Sequence, residues 1–526
     1  MTMMNDTRKA APSSVSGLLP MLQTSFTVGL LVMLLVSCTV GPNFVRPSPE
    51  VPPHWSKRAT TPPAAQDQPA QPNQPISPQP PTVPVSAVDE RTADLHACWS
   101  TFDDPMLTSL IERAASANLD LRVAMLRIDE ARAQRAVSAA AYWPAVSVDA
   151  AYSRQRLSET TPTGSLFGSV GNLKPPGGAA ISIPNPYNQF QLSANASWEI
   201  DLFGRVRRAV EAADANVQVS VEDQHSVAVS VLADVAQNYL HLRGAQSSLS
   251  TARENLATIE ELLDLTRQRR AAGLTTDIDV SNAAAQAAAT RAQLPSFELQ
   301  ITQNINQLSQ LLGREPEALR GELDAPAPLP SLPRDVPIGL PAELARRRPD
   351  IREAEASLHA ATAQIGVAVA DLFPRLTLAA NGGFQSETTG KLLEWASRFG
   401  SMGPTLDLPV FDRGRWKAVR LYDVRAQEAA LAYQRTVLNA LREVENAIAA
   451  YGADQERLGW LDATVSGNRD ALTLSRQRYE NGLSNFIDVL DAERTLQQNQ
   501  LSLADSTTAV TTDLVGLYRA LGGEWR

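Results

Sequence analysis

The sequence predicts a mainly α protein with amphipathic strand pairs, laid out as two tandem copies of one plan. Three observations predict it. Two segments match at an offset of 209, Leu265–Val280 with Leu474–Val489, both reading Leu-x-Arg-Gln-Arg before a Gly-Leu turn and an Ile-Asp-Val helix start. A repeat this long is a duplicated domain, since solenoid units run about 20–50 residues. Helical periodicity runs without a proline from Phe203 to Gly273, far beyond the usual three or four turns. Four stretches of seven to eleven residues alternate strictly between apolar and polar side chains. Such alternation suits either a membrane barrel or a half-buried sheet.

Length and charge set limits on function. The chain has 526 residues, 44% of them apolar, and a net charge of −10. An acidic chain without basic blocks is a poor partner for nucleic acid. Two cysteines build neither a disulfide framework nor a thiolate zinc site. The longest apolar stretch, 26–36, is too short to span a bilayer as a helix, which takes about 20 residues, so a polytopic helical membrane protein is excluded. The five histidines show no ligand spacing, and no phosphate-binding loop, nucleophile elbow or zinc-protease motif is present. An enzyme is not expected, nor a cofactor or a metal.

The elements follow in order. Residues 1–37 read as a signal peptide: Arg8 and Lys9 lead into the apolar stretch, and Leu35-Val36-Ser37-Cys38 closes it. That tetrad has the form of a lipobox, with Cys38 as the acylated residue. Residues 38–94 read as lipid anchor and tether, with 14 of the 35 prolines falling between 41 and 85. Residues 95–325 form the first copy, 326–341 a Pro-rich linker, and 342–526 the second copy. Helices are expected over 105–141, 204–272, 277–313, 341–371, 414–481 and 486–521. Strands are expected over 146–153, 190–199, 375–385 and 402–408, with 157–186 as an exposed loop and 390–399 as its shorter counterpart.

The long helix of the second copy carries two stripes. Ala426, Ala430, Tyr433, Val437, Ala440, Val444, Ala447 and Tyr451 recur at spacings of four and three, a coiled-coil seam. Leu431, Leu438, Leu441 and Ile448 form a second stripe around the axis. A helix with two seams takes a neighbour on each side, and sheets of such helices close into a tube. A compact bundle with one broad apolar face is the alternative. Four strands cannot close a barrel alone, since known ones have at least eight. If they span a membrane, several chains share the barrel.

The motifs resemble a known family. Cys38-Thr-Val-Gly-Pro-Asn-Phe44 with Arg46-Pro47, and Trp99-Ser-Thr-Phe-Asp-Asp-Pro-Met-Leu107, resemble the start of NodT-type outer-membrane efflux lipoproteins, a branch of the TolC family. Arg347-Arg-Pro-Asp-Ile-Arg-Glu-Ala-Glu355, Trp198-Glu-Ile-Asp-Leu-Phe-Gly-Arg205 and the run from Asn481 to Arg494 add to the likeness. It covers 38–50 and 95–524. Cys98 departs from it, standing where an aromatic residue is expected.

The resemblance implies a homotrimer: a 12-stranded outer-membrane barrel, four strands from each chain, on a periplasmic tube of paired helices. It implies a passive exit duct for small molecules, joined to a periplasmic adaptor and an inner-membrane pump of the resistance-nodulation-division type. Thr39, where inner-membrane lipoproteins carry Asp, favours anchoring in outer-membrane lipid. The Gly273 and Gly482 turns then lie at the tube's far tip. Asp488 and Asp491, three apart at a helix start, share one face there and sit where the helix dipole favours anions. By resemblance Asp491 and Arg494 match gate positions, Ile487 is their apolar neighbour, and Tyr479 and Ser484 match tip positions that bond to neighbouring helices, Tyr479 helping to hold the tube shut. The first copy has Asp279 against Asp488, but Asn282 and Ala285 against Asp491 and Arg494. The plain alternative is that the acids merely cap a solvated helix. A duct for a type I protein secretion machine, or a lipid-anchored structural coiled-coil protein of the envelope, are the alternative functions.

Overall fold

The computed structural model describes residues 39–48, 50–56, 86–91, 98–158, 160–162, 165 and 185–523. The signal peptide, the acylation residue Cys38, most of the Pro-rich tether and most of the loop 157–186 lie outside the described residues. Two compact units are present: Met1–Val45, Arg132–Ala215 and His359–Glu428 form one, and Arg46–Ala131, Asn216–Leu358 and Ala429–Arg526 the other.

Among the described residues the elements in chain order are β1 (Ala87–Asp89), α1 (Pro105–Ala117), α2 (Leu119–Ala139), β2 (Ala145–Gln155), β3 (Tyr187–Ile200), α3 (Arg205–Ala271), α4 (Asp277–Leu311), α5 (Arg320–Leu323), β4 (Asp335–Pro337), α6 (Pro341–Arg347), α7 (Pro349–Ala370), β5 (Arg375–Ser386), β6 (Arg398–Asp407), α8 (Arg413–Glu480) and α9 (Phe486–Ala520), with short 3-10 turns besides. At about 1.5 Å rise per residue, the 67 residues of α3 and the 68 of α8 give each helix a length of about 100 Å. No helix among the described residues is long and apolar enough to cross a membrane.

The first unit holds one antiparallel sheet in the order β2-β3-β5-β6. Its register pairs Asp149 with Ser193, Asn195 with Asn381 and Asn381 with Ser401. The expected alternation holds: Val146, Val148, Leu192, Leu378 and Met402 share one face. That face is bare in the single chain, Met402 being 89% and Val148 71% exposed. The polar face carries a directed ladder. Asn381 Nδ2 donates to Asn195 Oδ1, and Asn195 Nδ2 donates to Asp149 Oδ2. An ionised carboxylate only accepts, so Asp149 fixes the sense of both amides. At the strand–helix junction Phe203 stacks on Phe373 at 4.8 Å, and Arg205 forks onto Glu199 at 2.8 and 2.7 Å.

The flanks of the Pro-rich tether are docked, which composition did not foresee. Val40 N–H donates to Phe203 O at 3.2 Å, Arg208 donates to Asn43 Oδ1 at 2.6 Å, and Phe44 stacks on His359 at 4.5 Å. Gly41 sits at φ +91°, and a Cβ there would meet Gly366 Cα at 2.6 Å, so only glycine suits it. In the second unit Trp55 is buried, its Nε1 donating to Gly339 O at 2.8 Å. β1 adds a parallel strand to β4 within the Pro-rich linker. The half-buried Phe44 and the buried Trp55 outweigh the extended preference of the prolines between them.

Two helices expected as single are each broken. The 105–141 helix stops at Asn118, whose buried side chain accepts from Asp120 and Leu121 N–H and donates to Leu311 O. A new N-cap there competes with continuing the helix. The 341–371 helix breaks at Arg348 before Pro349, as the residue before a proline avoids the helical region. Arg348 is buried, bonded to Asp350, Glu443 and Ala520 O. That explains the Arg-Arg-Pro-Asp motif as a packing joint.

Of the first stripe of α8, Tyr433, Val437, Ala440, Val444 and Tyr451 are each at most 3% exposed, while Ala426, Ala430 and Ala447 are half-buried. Of the second stripe, Leu431 and Leu438 lie open at 65% and 64%, while Ile448 packs into the core. Half of the second seam therefore lacks a partner within the described chain.

Candidate functional site: the hairpin tips

The two hairpins α3/α4 and α8/α9 turn by the same device. Gly273 and Gly482 hold φ +73° and +68°. Leu274 N–H returns to Arg269 O and Leu483 N–H to Arg478 O, both at 2.8 Å, the Schellman end of a helix. The following helices start with capping acids. Asp279 accepts from Thr275 and Thr276 hydroxyls at 2.7 Å and from Thr276 N–H at 3.1 Å. Partial burial pushes its carboxyl up, but these three bonds prevail and hold it below the usual range. Asp488, its counterpart, accepts from Asn485 N–H at 3.2 Å. Asp488 therefore takes part in capping α9.

Asp491 and Arg494 pair with each other at 2.9 Å, one turn apart and both exposed. Ile487 is exposed beside them. Leu274, Ile278, Leu483 and Ile487 are all exposed, so each tip presents the same Leu and Ile at positions 209 apart.

Tyr479 is 7% exposed. Its ring lies 5.7 Å from Phe486 and under the Arg269 guanidinium at 4.4 Å. It thus ties α8 to α9 and to α3 through its faces. Neither its hydroxyl nor that of Ser484 has a hydrogen-bond partner among the described residues, though both oxygens are buried. The two copies staple their turns differently. At the positions of Tyr479 and Phe486, the first copy has Arg270 and Asp277, joined by two 2.8 Å bonds.

A deeper network escaped the sequence reading. Glu493, 2% exposed, accepts from Arg476 at 2.9 Å and from Gln497 at 3.2 Å. Gln497 also accepts from Gln286 at 3.4 Å and Thr290 at 3.3 Å, and donates to Asn255 O at 3.4 Å. All four tip helices meet there. A signal existed: at the offset of 209 the first copy has Ala284 and Ala288 in place of Glu493 and Gln497, so this polarity is private to the second hairpin. Among the described residues no cluster could hold a metal ion.

Comparison with known proteins agrees with this architecture. The family described as "Outer membrane efflux protein" matches residues 110–314 and 340–523. The chain is 33% identical over 427 residues to the antibiotic efflux pump outer membrane protein ArpC of Pseudomonas putida, covering 81% of this chain and 84% of that one. It is 30% identical over 491 residues to nodulation protein T of Rhizobium leguminosarum bv. trifolii, covering 91% and 93%. The solved structure of the outer-membrane channel OprN superposes with a TM-score of 0.77 at 34% identity, over 93% of this chain and all of that one. The chain belongs to the outer membrane efflux protein family, and it is an outer-membrane efflux channel with a periplasmic extension.

Proposed function

We propose that three copies assemble into one passive duct through which small molecules leave the cell. Each copy contributes its four strands to a barrel of twelve and its long helices to a tube. The single observation that carries this is the sheet: among the described residues β2 and β6 have free edges, and its apolar face is bare. An isolated sheet of this kind is unstable in water. Edge-to-edge closure removes the open edges, lipid covers the apolar face, and the Asp149–Asn195–Asn381 ladder faces water. The open Leu431 and Leu438 take a neighbouring helix.

The duct is anchored by acylation of Cys38 and stands in a tripartite system. A periplasmic adaptor docks on the tips, where the repeated exposed Leu and Ile give it an apolar contact, and an inner-membrane resistance-nodulation-division pump supplies the energy. The chain performs no reaction of its own. The tips close the tube, with Asp488, Asp491 and Arg494 lining the narrow end, Ile487 beside them, and Tyr479 and Ser484 in the closing contacts. Opening is a shift of the second hairpin, favoured by whichever state the adaptor binds better. Small molecules are the cargo because the named relative ArpC is an antibiotic efflux protein.

Planar-bilayer recording tests this. The purified chain should conduct in small steps, and Y479A and R494A should each raise the single-channel conductance at least about twofold by releasing the tip contacts. A wild-type protein without pores contradicts the duct. Pores whose conductance neither substitution changes contradict the gate.

A further inference from the structure

We propose that the loop end of the sheet's apolar face is a docking surface for phosphate-bearing membrane lipid, with Arg154 and Arg398 as its cations. The inference rests on the barrel reading above. Arg154 lies opposite Asn188 near the end of β2, and Arg398 opposite Phe384 at the start of β6. By the two-residue alternation of a strand, both side chains share the face of Val148, Leu192, Phe384 and Met402. Both are exposed, and neither has an acidic partner within ion-pair range among the described residues.

The other end of the sheet behaves differently. Arg205 pairs with Glu199 at 2.7 Å, Arg375 with Asp371 at 2.8 Å and Arg415 with Asp407 at 3.5 Å. Three cations at that end are therefore paired, although the exposed Arg413 just beyond β6 has no acidic partner among the described residues. Arg154 and Arg398 also stand among aromatic rings. Tyr152 and Phe190 lie 4.9 Å apart one pleat inward from Arg154, and the Arg398 guanidinium lies 3.6 Å over the Trp395 ring. Amphipathic rings with arginine mark the level where hydrocarbon meets headgroup, where a charge on the lipid face is tolerated.

The two arginines occupy the two free edges of the sheet. Closing three sheets edge to edge sets Arg154 of one copy and Arg398 of the next on either side of the same seam, three times around the barrel. Two like charges beside a seam call for an anion. A phosphomonoester headgroup offers several acceptor oxygens to planar guanidinium forks. Val148, Leu192, Phe384 and Met402 then give its acyl chains an apolar strip, which a free phosphate ion does not use.

The test is native mass spectrometry of the full-length protein in detergent, with dioleoyl phosphatidic acid, dioleoyl phosphatidylcholine and inorganic phosphate as probes. The wild-type trimer should retain phosphatidic acid roughly tenfold better than phosphatidylcholine. R154Q/R398Q should bring the two lipids to near parity, each single substitution should lose part of the preference, and R154K/R398K should keep most of it. Equal retention of the two lipids by the wild type overturns the proposal, as does a preference that survives R154Q/R398Q. Displacement of phosphatidic acid by excess inorganic phosphate overturns the lipid as the occupant. A wild type that flies as a single chain contradicts the trimer instead, whereas a trimer without headgroup preference contradicts only the lipid surface.

Discussion

Glu493 sits in the buried network at the tip. A carboxylate this buried is tolerated because Arg476 and Gln497 satisfy it. Removing it leaves a guanidinium and an amide facing an emptied site. E493A should destabilise the tip helices by about 1–3 kcal/mol, read as faster amide exchange in α8 and α9 near the turn. Exchange unchanged from wild type would remove Glu493 from that role. Asp513 makes a second residue-scale prediction. Burial and a hydrogen bond with Asp454 push its carboxyl up to about 7; Asp454 in turn lies 4.0 Å from Arg457. The folded chain therefore holds a proton that the unfolded chain has lost above pH of about 4. The stability this adds is complete below that pH and fades as pH rises through about 7. After allowance for solvent screening it is on the order of 1 kcal/mol. D513N should flatten the fall in Tm between pH 5 and 8, and an unaltered slope would exclude Asp513 as its source. Little of this was readable in advance. Asp488 and Asp491 were visible because they stand three apart at a helix start, and Arg494 came only with the family resemblance, whereas Glu493 owes its burial to three other helices.

At the scale of elements, the two hairpins keep one turn and exchange the chemistry around it. Arg270 and Asp277 close the first with an exposed ion pair, worth little in water. Tyr479 and Phe486 close the second with apolar rings. The second hairpin also carries Asp491, Arg494 and the Glu493 network, against Asn282, Ala285 and Ala284. The long helices and strands were legible because their periods persist for many turns and pleats. The breaks at Asn118 and Arg348 were not, since each depends on a buried side chain finding distant partners, although Pro349 was in plain sight. The docked flanks of the tether were hidden for a related reason: composition describes the prolines, and Phe44, Arg46 and Trp55 decide the packing. Arg46 pairs with Glu355 at 2.7 Å. The open stripe of α8 carries its own prediction. L431Q/L438Q changes residues that touch no core in the single chain. It should leave the helical circular dichroism of the chain intact while lowering the temperature at which the assembly falls into single chains. An assembly equally resistant to heat would leave that stripe without a neighbour.

At the scale of the whole molecule, the sequence held the need for company but not its count. Alternating strands too few for a barrel, and a second seam on a helix whose first seam was already filled, both follow from residue pattern alone. That the number is three came only with the family resemblance, because closure depends on strand tilt and stagger, which no side chain spells out. The sheet bears out the pattern: among the described residues its apolar face is bare and its two edge strands lack an outer partner. In the proposed assembly the bilayer supplies what the lone chain lacks, since lipid would cover the face while neighbouring copies would satisfy the edge amides. The most direct measurement is the protein mass of the full-length molecule in mild detergent, by light scattering corrected for bound detergent. Three chains per particle is the predicted result. A particle holding one chain, with its sheet edges left open, would contradict the account.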